Sequence, residues 1–498
     1  MSSLTPKSSD LPNLIARQLV AQPQCFVLFG STGDLAKRKI FPALFALFLD
    51  KKLPSRFFIL GLGRKTFSDA EFQKHVEETL LLFARLKGDA QTRKEFTQKI
   101  CYLSLDIDGD YTPLKTLLLD KEPQFGTRAN RTFYLAVAPS YFTKIPNNLK
   151  SIGLLHEKEF DSFANIIIEK PFGTDLSSAL DLDSELKKIL FEEQIYRIDH
   201  YLGKETVQNI FAFRFSNHFI DHIFTSQFVE SVQIVAAEDL IVGDRVEFYD
   251  QVGCIRDFCQ NHLMQVLAFI AMEAPSKNEA EFIHQEKSKV LRSIKQIDAI
   301  VRAQYEKGYI NTDAVSGYRD DARVKDSNTD TFVAMRLFID NFRWGGTPFY
   351  LLAGKALPRK YTEINIILKK APFSLFPQSS QQNIISIQIQ PKEGISIIIK
   401  TKVPAKTSLK PVKLDFYYDD YFSTESIPEA YETLLFNAMC ADRSLFTDKE
   451  ELMASWELFD PIITKWKTES LTPEEFYPAG SWPEIMNKIF LDEHYLVL

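Results

Sequence analysis

The sequence predicts two large domains, an α/β unit on a parallel sheet followed by a larger α+β unit whose sheet is mainly antiparallel. Three observations carry that reading. Short continuous apolar runs alternate with helical periodicity up to about residue 195, and a glycine-rich turn follows directly on the first run. Beyond about residue 230, strand-like segments succeed one another with few helices between them. A chain of 498 residues is also too long for a single hydrophobic core.

The chain opens with MSSLTPKSSDLPN, polar and without periodicity, so residues 1–22 are expected to form a flexible arm. The α/β domain is expected over residues 23–195. Its first strand, Cys25–Phe29, is apolar throughout, as in a strand buried on both faces. Phe41, Leu44, Phe45 and Phe48 recur at helical spacing, and Phe57–Leu60 is a second buried run. Strand, helix and parallel strand make a βαβ unit, which crosses over right-handed. Thr132–Val137 and Asn165–Ile168 extend the sheet.

Residues 196–498 are expected to form the α+β domain. Val232–Val235, Ile364–Leu368, Ile384–Ile389 and Ile395–Ile399 read as strands, and Pro391-Lys392-Glu393-Gly394 reads as a hairpin turn. Helices are expected near 253–272, 279–306 and 427–445, packed on one face of the sheet.

Composition narrows the function classes. Apolar residues at 45% and charged residues at 25% are the balance of an ordinary globular protein. A net charge of −7 argues against wholesale binding to nucleic acid or to an anionic membrane. No stretch approaches the roughly 20 apolar residues of a membrane span, and no apolar signal core is expected at the start. Cys25, Cys101, Cys254, Cys259 and Cys440 form no CxxC pair, so free thiols and a cytoplasmic location are expected.

After the first strand comes Gly30-Ser31-Thr32-Gly33-Asp34-Leu35-Ala36, opening a helix. Glycines in such a turn let the backbone bend sharply and approach a pyrophosphate, whose charge then sits at the helix N-terminus. A glycine-rich turn is weak evidence alone, but its place between strand and helix favours a Rossmann-type dinucleotide site over a plain turn. Gly30, Ser31, Thr32, Gly33, Asp34 and Leu35 are the expected cofactor contacts. The second strand ends in Gly61-Leu62-Gly63-Arg64-Lys65. NAD sites carry an acidic residue there for the ribose 2′-hydroxyl. Arginine pairs with a 2′-phosphate instead, so NADP is expected with Arg64 as its reader. The alternative is a solvated basic turn.

The densest polar cluster is Arg197-Ile198-Asp199-His200-Tyr201-Leu202-Gly203-Lys204-Glu205. On composition alone, a surface loop with local ion pairs is favoured over a phosphate clamp. As a motif, however, the run resembles the substrate signature of the glucose-6-phosphate dehydrogenase family. Gly30–Pro42 is similar to that family's coenzyme loop, Glu169–Gly173 to its domain-junction motif and Arg256–Leu263 to its catalytic helix. Arg343–Tyr350 and Gly354–Leu357 also fit, so the resemblance runs from about residue 24 to about residue 483.

The resemblance implies oxidation of glucose 6-phosphate at C1 to 6-phosphoglucono-1,5-lactone with hydride transfer to NADP+, the first oxidative step of the pentose phosphate pathway. It implies His262 as general base and Asp199 as its orienting partner, roles that suit an imidazole near neutrality and a fixed carboxylate. Lys170 is implied as a catalytic contact to both the C1 oxygen and the cofactor, with Pro171 as a candidate cis peptide. His200, Tyr201 and Lys204 carry over as ligands of the 6-phosphate. Glu238, Asp257 and Lys355 carry over as ligands of the ring hydroxyls, with Gln390 a weaker candidate. Tyr249 and Asp250 match a family position where a structural role is as plausible as a functional one. The assembly implied is a homodimer or homotetramer through the sheet of the larger domain.

The chain also departs from the family pattern. Leu352 stands where an arginine is usual and Gln388 where a basic residue is usual, so no second, structural NADP is expected. Phe142 replaces a frequent tyrosine near the nicotinamide, and the loop between Glu238 and Asp257 loses some usual small residues. His218 and His222 share a zinc-like spacing but lack accompanying ligands, and no metal is expected. Two rivals remain, a dehydrogenase for an unphosphorylated sugar and a catalytically dead NADP sensor. The cluster around His200 argues against the first, and intact Asp199, His262 and Lys170 against the second.

Overall fold

A computed structural model describes residues 19–155, 162–373, 376, 382–423, 427–491 and 494–497. Most of the expected N-terminal arm lies outside the described residues.

Strand β1 (Gln24–Phe29), buried at every position, lies within a six-stranded parallel sheet. It is flanked by β2 (Phe57–Gly63), followed outward by β3 (Ile100–Ser104). On its other side lie β4 (Arg131–Leu135), β5 (Ala164–Ile168) and β6 (Ile195–Arg197). The order β3-β2-β1-β4-β5-β6 is that of a Rossmann sheet, whose ligand crevice opens above the C-terminal ends of β1 and β4. The expected runs at 25–29, 57–60, 132–137 and 165–168 all contribute to this sheet; β3 and β6 join it without having been expected. β6 crosses the boundary expected at 195.

The second sheet has nine strands. In spatial order they are Leu409–Tyr417, Gly394–Lys402, Ile384–Gln390, Tyr361–Leu368, Val229–Ala237, Pro348–Gly354, Phe332–Phe338, Ile297–Glu306 and Phe476–Pro478. Its pairings are antiparallel except between Val229–Ala237 and Pro348–Gly354, and between Ile297–Glu306 and Phe476–Pro478. The hairpin at Pro391–Gly394 joins two neighbours as expected. The helix expected over 279–306 is shorter: it ends at Arg292, and Ile297–Glu306 is a strand. β-Branched Ile297, Ile300 and Val301 suit that strand, and pairing to Phe332–Phe338 overrides the local charge pattern. The interior Arg302 is satisfied by Glu475 and by the carbonyls of Trp466 and Glu469.

The catalytic-helix region runs helically from Val246 to Ala271 with two local departures. Gly253 sits at φ +67°, where a Cβ would also lie 2.8 Å from Asp330 Oδ1. Ile255–Leu263 is π-helical, a widened turn frequent at functional sites.

The chain does not divide cleanly at 195. Helix Ala430–Met439 returns to the first sheet, placing Leu434, Leu435, Ala438 and Met439 in one core with Leu44 and Phe45. Ion pairs Arg85–Glu432 (2.7 Å) and Lys39–Glu429 (3.0 Å) and the Tyr431 hydroxyl on Glu169 reinforce that seam. Among the described residues no helix is long and apolar enough to cross a membrane, and all five cysteines are free.

Candidate active site

The side chains of interest lie where strands of both sheets end. β5 delivers Glu169 and Lys170, and β6 delivers Asp199, His200 and Tyr201. In the second sheet, Val229–Ala237 and Pro348–Gly354 run parallel with Ala237 opposite Gly354. The next residues, Glu238 and Lys355, therefore emerge side by side. The π-helical turn supplies Asp257 and His262.

These residues form one connected set. His262 Nδ1 lies 2.5 Å from Asp199 Oδ1, and both side chains are almost wholly buried. A carboxylate only accepts and an ammonium only donates, so Nδ1 carries the proton and Nε2 presents its lone pair to Lys170 Nζ at 3.0 Å. Lys170 Nζ also donates to the Asp257 carbonyl (2.9 Å) and to Oδ1 (3.2 Å). Asp257 Oδ2 continues to Lys355 Nζ at 3.3 Å, and Lys355 donates to Glu238 Oε2 at 2.6 Å. The Lys170–Pro171 peptide is cis.

Electrostatics follow from this arrangement. Burial lowers the His262 pKa, and the Lys170 charge outside Nε2 lowers it further; Asp199 opposes both but does not reverse them. The ring is therefore neutral, its Nε2 unprotonated and accepting from Lys170. Burial pushes the Asp199 carboxyl upward, but the His262 ring, His200 and the Tyr201 N–H at 2.9 Å outweigh it and hold it below the carboxylate range. Burial likewise raises Asp257, yet Lys170 and Lys355 bring it down to about 2. Burial drives His200 well below the ordinary histidine value. Asp199, His200 and His262 offer donor atoms within 4.8 Å of one another. Asp199 and His262 are bonded together there, the arrangement of a base and its orienter.

A second group of side chains adjoins the dyad. The Tyr201 ring stacks on His262 at 4.3 Å, and His200 meets the His262 ring edge-on at 4.6 Å. Lys204 Nζ lies over the Tyr201 ring at 4.6 Å and donates to Gln390 Oε1 at 2.6 Å. Burial, with Lys360 nearby, lowers the Lys204 ammonium to about 8, although Glu393 opposes the shift.

The dinucleotide loop fits the group it was expected to hold. Gly30 has φ +77°, and a Cβ there would lie 2.2 Å from the Ala136 carbonyl oxygen, so only glycine lets the loop pass that close to β4. Thr32, Gly33, Asp34 and Leu35 are at least partly open to solvent at the helix start. Ser31 is different: it is buried, and both its N–H and its hydroxyl bond to the Leu62 carbonyl at 3.0 Å. Its side chain ties the loop to β2 instead of facing a ligand. Arg64 is exposed at the end of β2, and its guanidinium has no partner among the described residues.

Other expectations resolve into structure. Asp250 accepts from the hydroxyls of Tyr318 and Ser327, and Tyr249 is buried with its hydroxyl 3.4 Å from the Asp330 carbonyl. Phe142 is fully buried in the α/β core, and Leu352 is fully buried in its strand. His218 and His222 are exposed, with rings 6.4 Å apart. Two neighbours of the site were not singled out beforehand. Glu169 accepts from the Tyr134 and Tyr431 hydroxyls just before Lys170, and Thr362 bonds Gln390. Glu169 lies inside a recognisable motif, but nothing local marks Thr362.

Known proteins share this sequence and architecture. A profile described as glucose-6-phosphate dehydrogenase, NAD binding domain, matches residues 27–209, and one for the C-terminal domain matches residues 211–495. The glucose-6-phosphate 1-dehydrogenase of Chlamydia pneumoniae is 41% identical over 475 residues, 92% of this chain and 93% of its own. That of Bacillus subtilis is 38% identical over 475 residues, covering 92% and 95%. A solved glucose-6-phosphate dehydrogenase in complex with its substrate glucose 6-phosphate superposes with TM-score 0.89 at 33% identity, over 96% of this chain and 99% of that one. With both halves matched and identity sustained along nearly the whole length, the chain belongs to the glucose-6-phosphate dehydrogenase family.

Proposed function

We propose that this chain oxidises glucose 6-phosphate at C1 to 6-phosphoglucono-1,5-lactone with NADP+ as the hydride acceptor. The observation that carries the reading is the buried Asp199–His262 pair, whose unprotonated Nε2 faces the Lys170 ammonium at 3.0 Å. Neutral His262 takes the proton of the C1 hydroxyl on Nε2 as the C1–O bond becomes a carbonyl. Asp199 stays ionised, keeps the ring in the productive tautomer and stabilises the imidazolium that forms. Lys170 donates to the C1 oxygen and offsets negative charge developing there. When bound, the nicotinamide supplies the acceptor for the hydride leaving C1.

His200, Tyr201 and Lys204 hold the 6-phosphate, and the dianion favours the charged form of Lys204 that burial disfavours. Glu238, Asp257 and Lys355 hold ring hydroxyls, which fixes C1 against the base. Gly30, Thr32, Gly33, Asp34 and Leu35 cradle the pyrophosphate, and Lys170 reaches toward the cofactor. Turnover of glucose 6-phosphate with NADP+, measured as reduced-nicotinamide absorbance beside NAD+ and beside free glucose, tests this reading. Absence of turnover with either coenzyme would remove it.

Coenzyme choice rests on Arg64, which is exposed at the end of β2 with no partner among the described residues and can pair with a 2′-phosphate. Arg64→Ala is expected to raise KM for NADP+ by roughly ten- to a hundredfold, the worth of a charge-assisted contact. KM for NAD+ should change little, and steady-state kinetics with both coenzymes check the split.

A homodimer or larger homo-oligomer through the second sheet is supported by its open edge strand, Leu409–Tyr417. That strand exposes Val412 and Leu414, and Tyr421 and Phe422 are exposed just beyond it. Leu414→Glu is expected to shift the light-scattering mass of the wild-type assembly toward monomer. An unchanged mass would move the interface elsewhere.

A further inference from the structure

We infer that Thr362 is a positioning residue for the sugar phosphate, its buried hydroxyl anchoring the Gln390 amide with Oε1 turned to Lys204. The inference rests on the function proposed above and extends it to a residue that touches neither the reacting carbon nor the base.

Thr362 is 1% exposed on strand Tyr361–Leu368, opposite Gln390 on one neighbour and Ala236 on the other. The ladder slips directly after it, between Thr362 and Glu363. Lys204 can only donate, so Gln390 must present Oε1 to it, at 2.6 Å. The amide nitrogen consequently points away and needs an acceptor, which is Thr362 Oγ1 at 2.9 Å. The Thr362 hydroxyl also lies 3.4 Å from Tyr201 Oη, a contact in which either hydroxyl can donate, and the Tyr201 ring stacks on His262. With the amide reversed, its N–H groups would face the Lys204 ammonium. One hydroxyl thus links the Gln390 amide beside Lys204 to the ring stacked on His262.

Thr362→Val keeps the shape and removes the acceptor. It is expected to weaken glucose 6-phosphate binding roughly tenfold, with kcat within about twofold of wild type. Thr362→Ser, which keeps the hydroxyl, should restore binding, and in a Gln390→Ala background Thr362→Val should add less than about twofold. The measurement is calorimetric titration of glucose 6-phosphate into the full-length proteins, with steady-state kinetics alongside and Thr362→Ala as a second variant should the valine protein lose its circular-dichroism signature. Weakened binding that serine rescues and that vanishes without Gln390 supports the inference. Unchanged binding in the hydroxyl-free variants, or a loss that persists without Gln390, overturns it alone. A wild type that binds no glucose 6-phosphate would instead remove the proposed function and this inference with it.

Discussion

Replacing His262 with asparagine is expected to lower kcat by about 10³-fold, the usual worth of a positioned general base, while glucose 6-phosphate still binds. The expectation follows from geometry. Nδ1 is committed to Asp199 at 2.5 Å, which leaves Nε2 as the only ring position with a lone pair. An amide in its place fills the space but takes up no proton. The pH profile of the wild type provides a second check. Protonation of His262 removes the base, so kcat/KM must fall on acidification through its pKa. Burial and the Lys170 charge both lower that pKa, so the acid limb belongs below the ordinary histidine value of about 6.5. Single-turnover kinetics with calorimetric binding separate loss of chemistry from loss of substrate. A His262→Asn protein that keeps more than about a tenth of wild-type kcat would place the base elsewhere.

Lys170→Met is expected to cost about 10²- to 10³-fold in kcat, the scale of a lost electrostatic contact to developing charge. Its distinguishing effect is on pH. Lys170 lies 3.0 Å from His262 Nε2, and its charge disfavours imidazolium. Removing it raises the His262 pKa, so the acid limb moves to higher pH even as the maximum falls. Asp257 also loses one of its two lysine partners, which leaves more negative charge near the ring and shifts the limb the same way. A lysine with only a packing role would lower thermal stability without moving the limb. The pH dependence of kcat/KM for this variant beside wild type decides between them.

Much of the fold was legible because burial leaves a local trace. β1, β2 and β5 are covered on both faces, so nearly every position is apolar, Gln24 and Asn165 excepted, and the runs stand out. β6 is only three residues long, β3 is as long as β5 but opens to solvent over Leu103 and Ser104, and Ile297–Glu306 mixes charged and apolar residues in a way that local pattern alone reads as helix. It becomes a strand because Phe332–Phe338 pairs along it, an energy that no window of sequence contains. The return of helix Ala430–Met439 to the first sheet is equally invisible to local reading, since its apolar face shows only that something must cover it.

The candidate site divides along the same line. Residue types and motif spacing by themselves determined the family, the dinucleotide turn and a set of candidate side chains: His262, Asp199, Lys170, the cluster from His200 to Lys204, Glu238, Asp257 and Lys355. Chemistry confined to short contiguous segments survives in a one-dimensional string. Only the tertiary structure decided how those segments meet. It joined Asp199 to His262 across 63 positions and set Lys355 beside Glu238 through a parallel register. It turned Ser31 inward to Leu62 and brought Thr362 under Gln390 at an irregular step in the ladder. The physical reason is that a contact between distant segments depends on strand register, crossover and packing, which the whole chain settles together by burying its apolar faces and pairing its backbone.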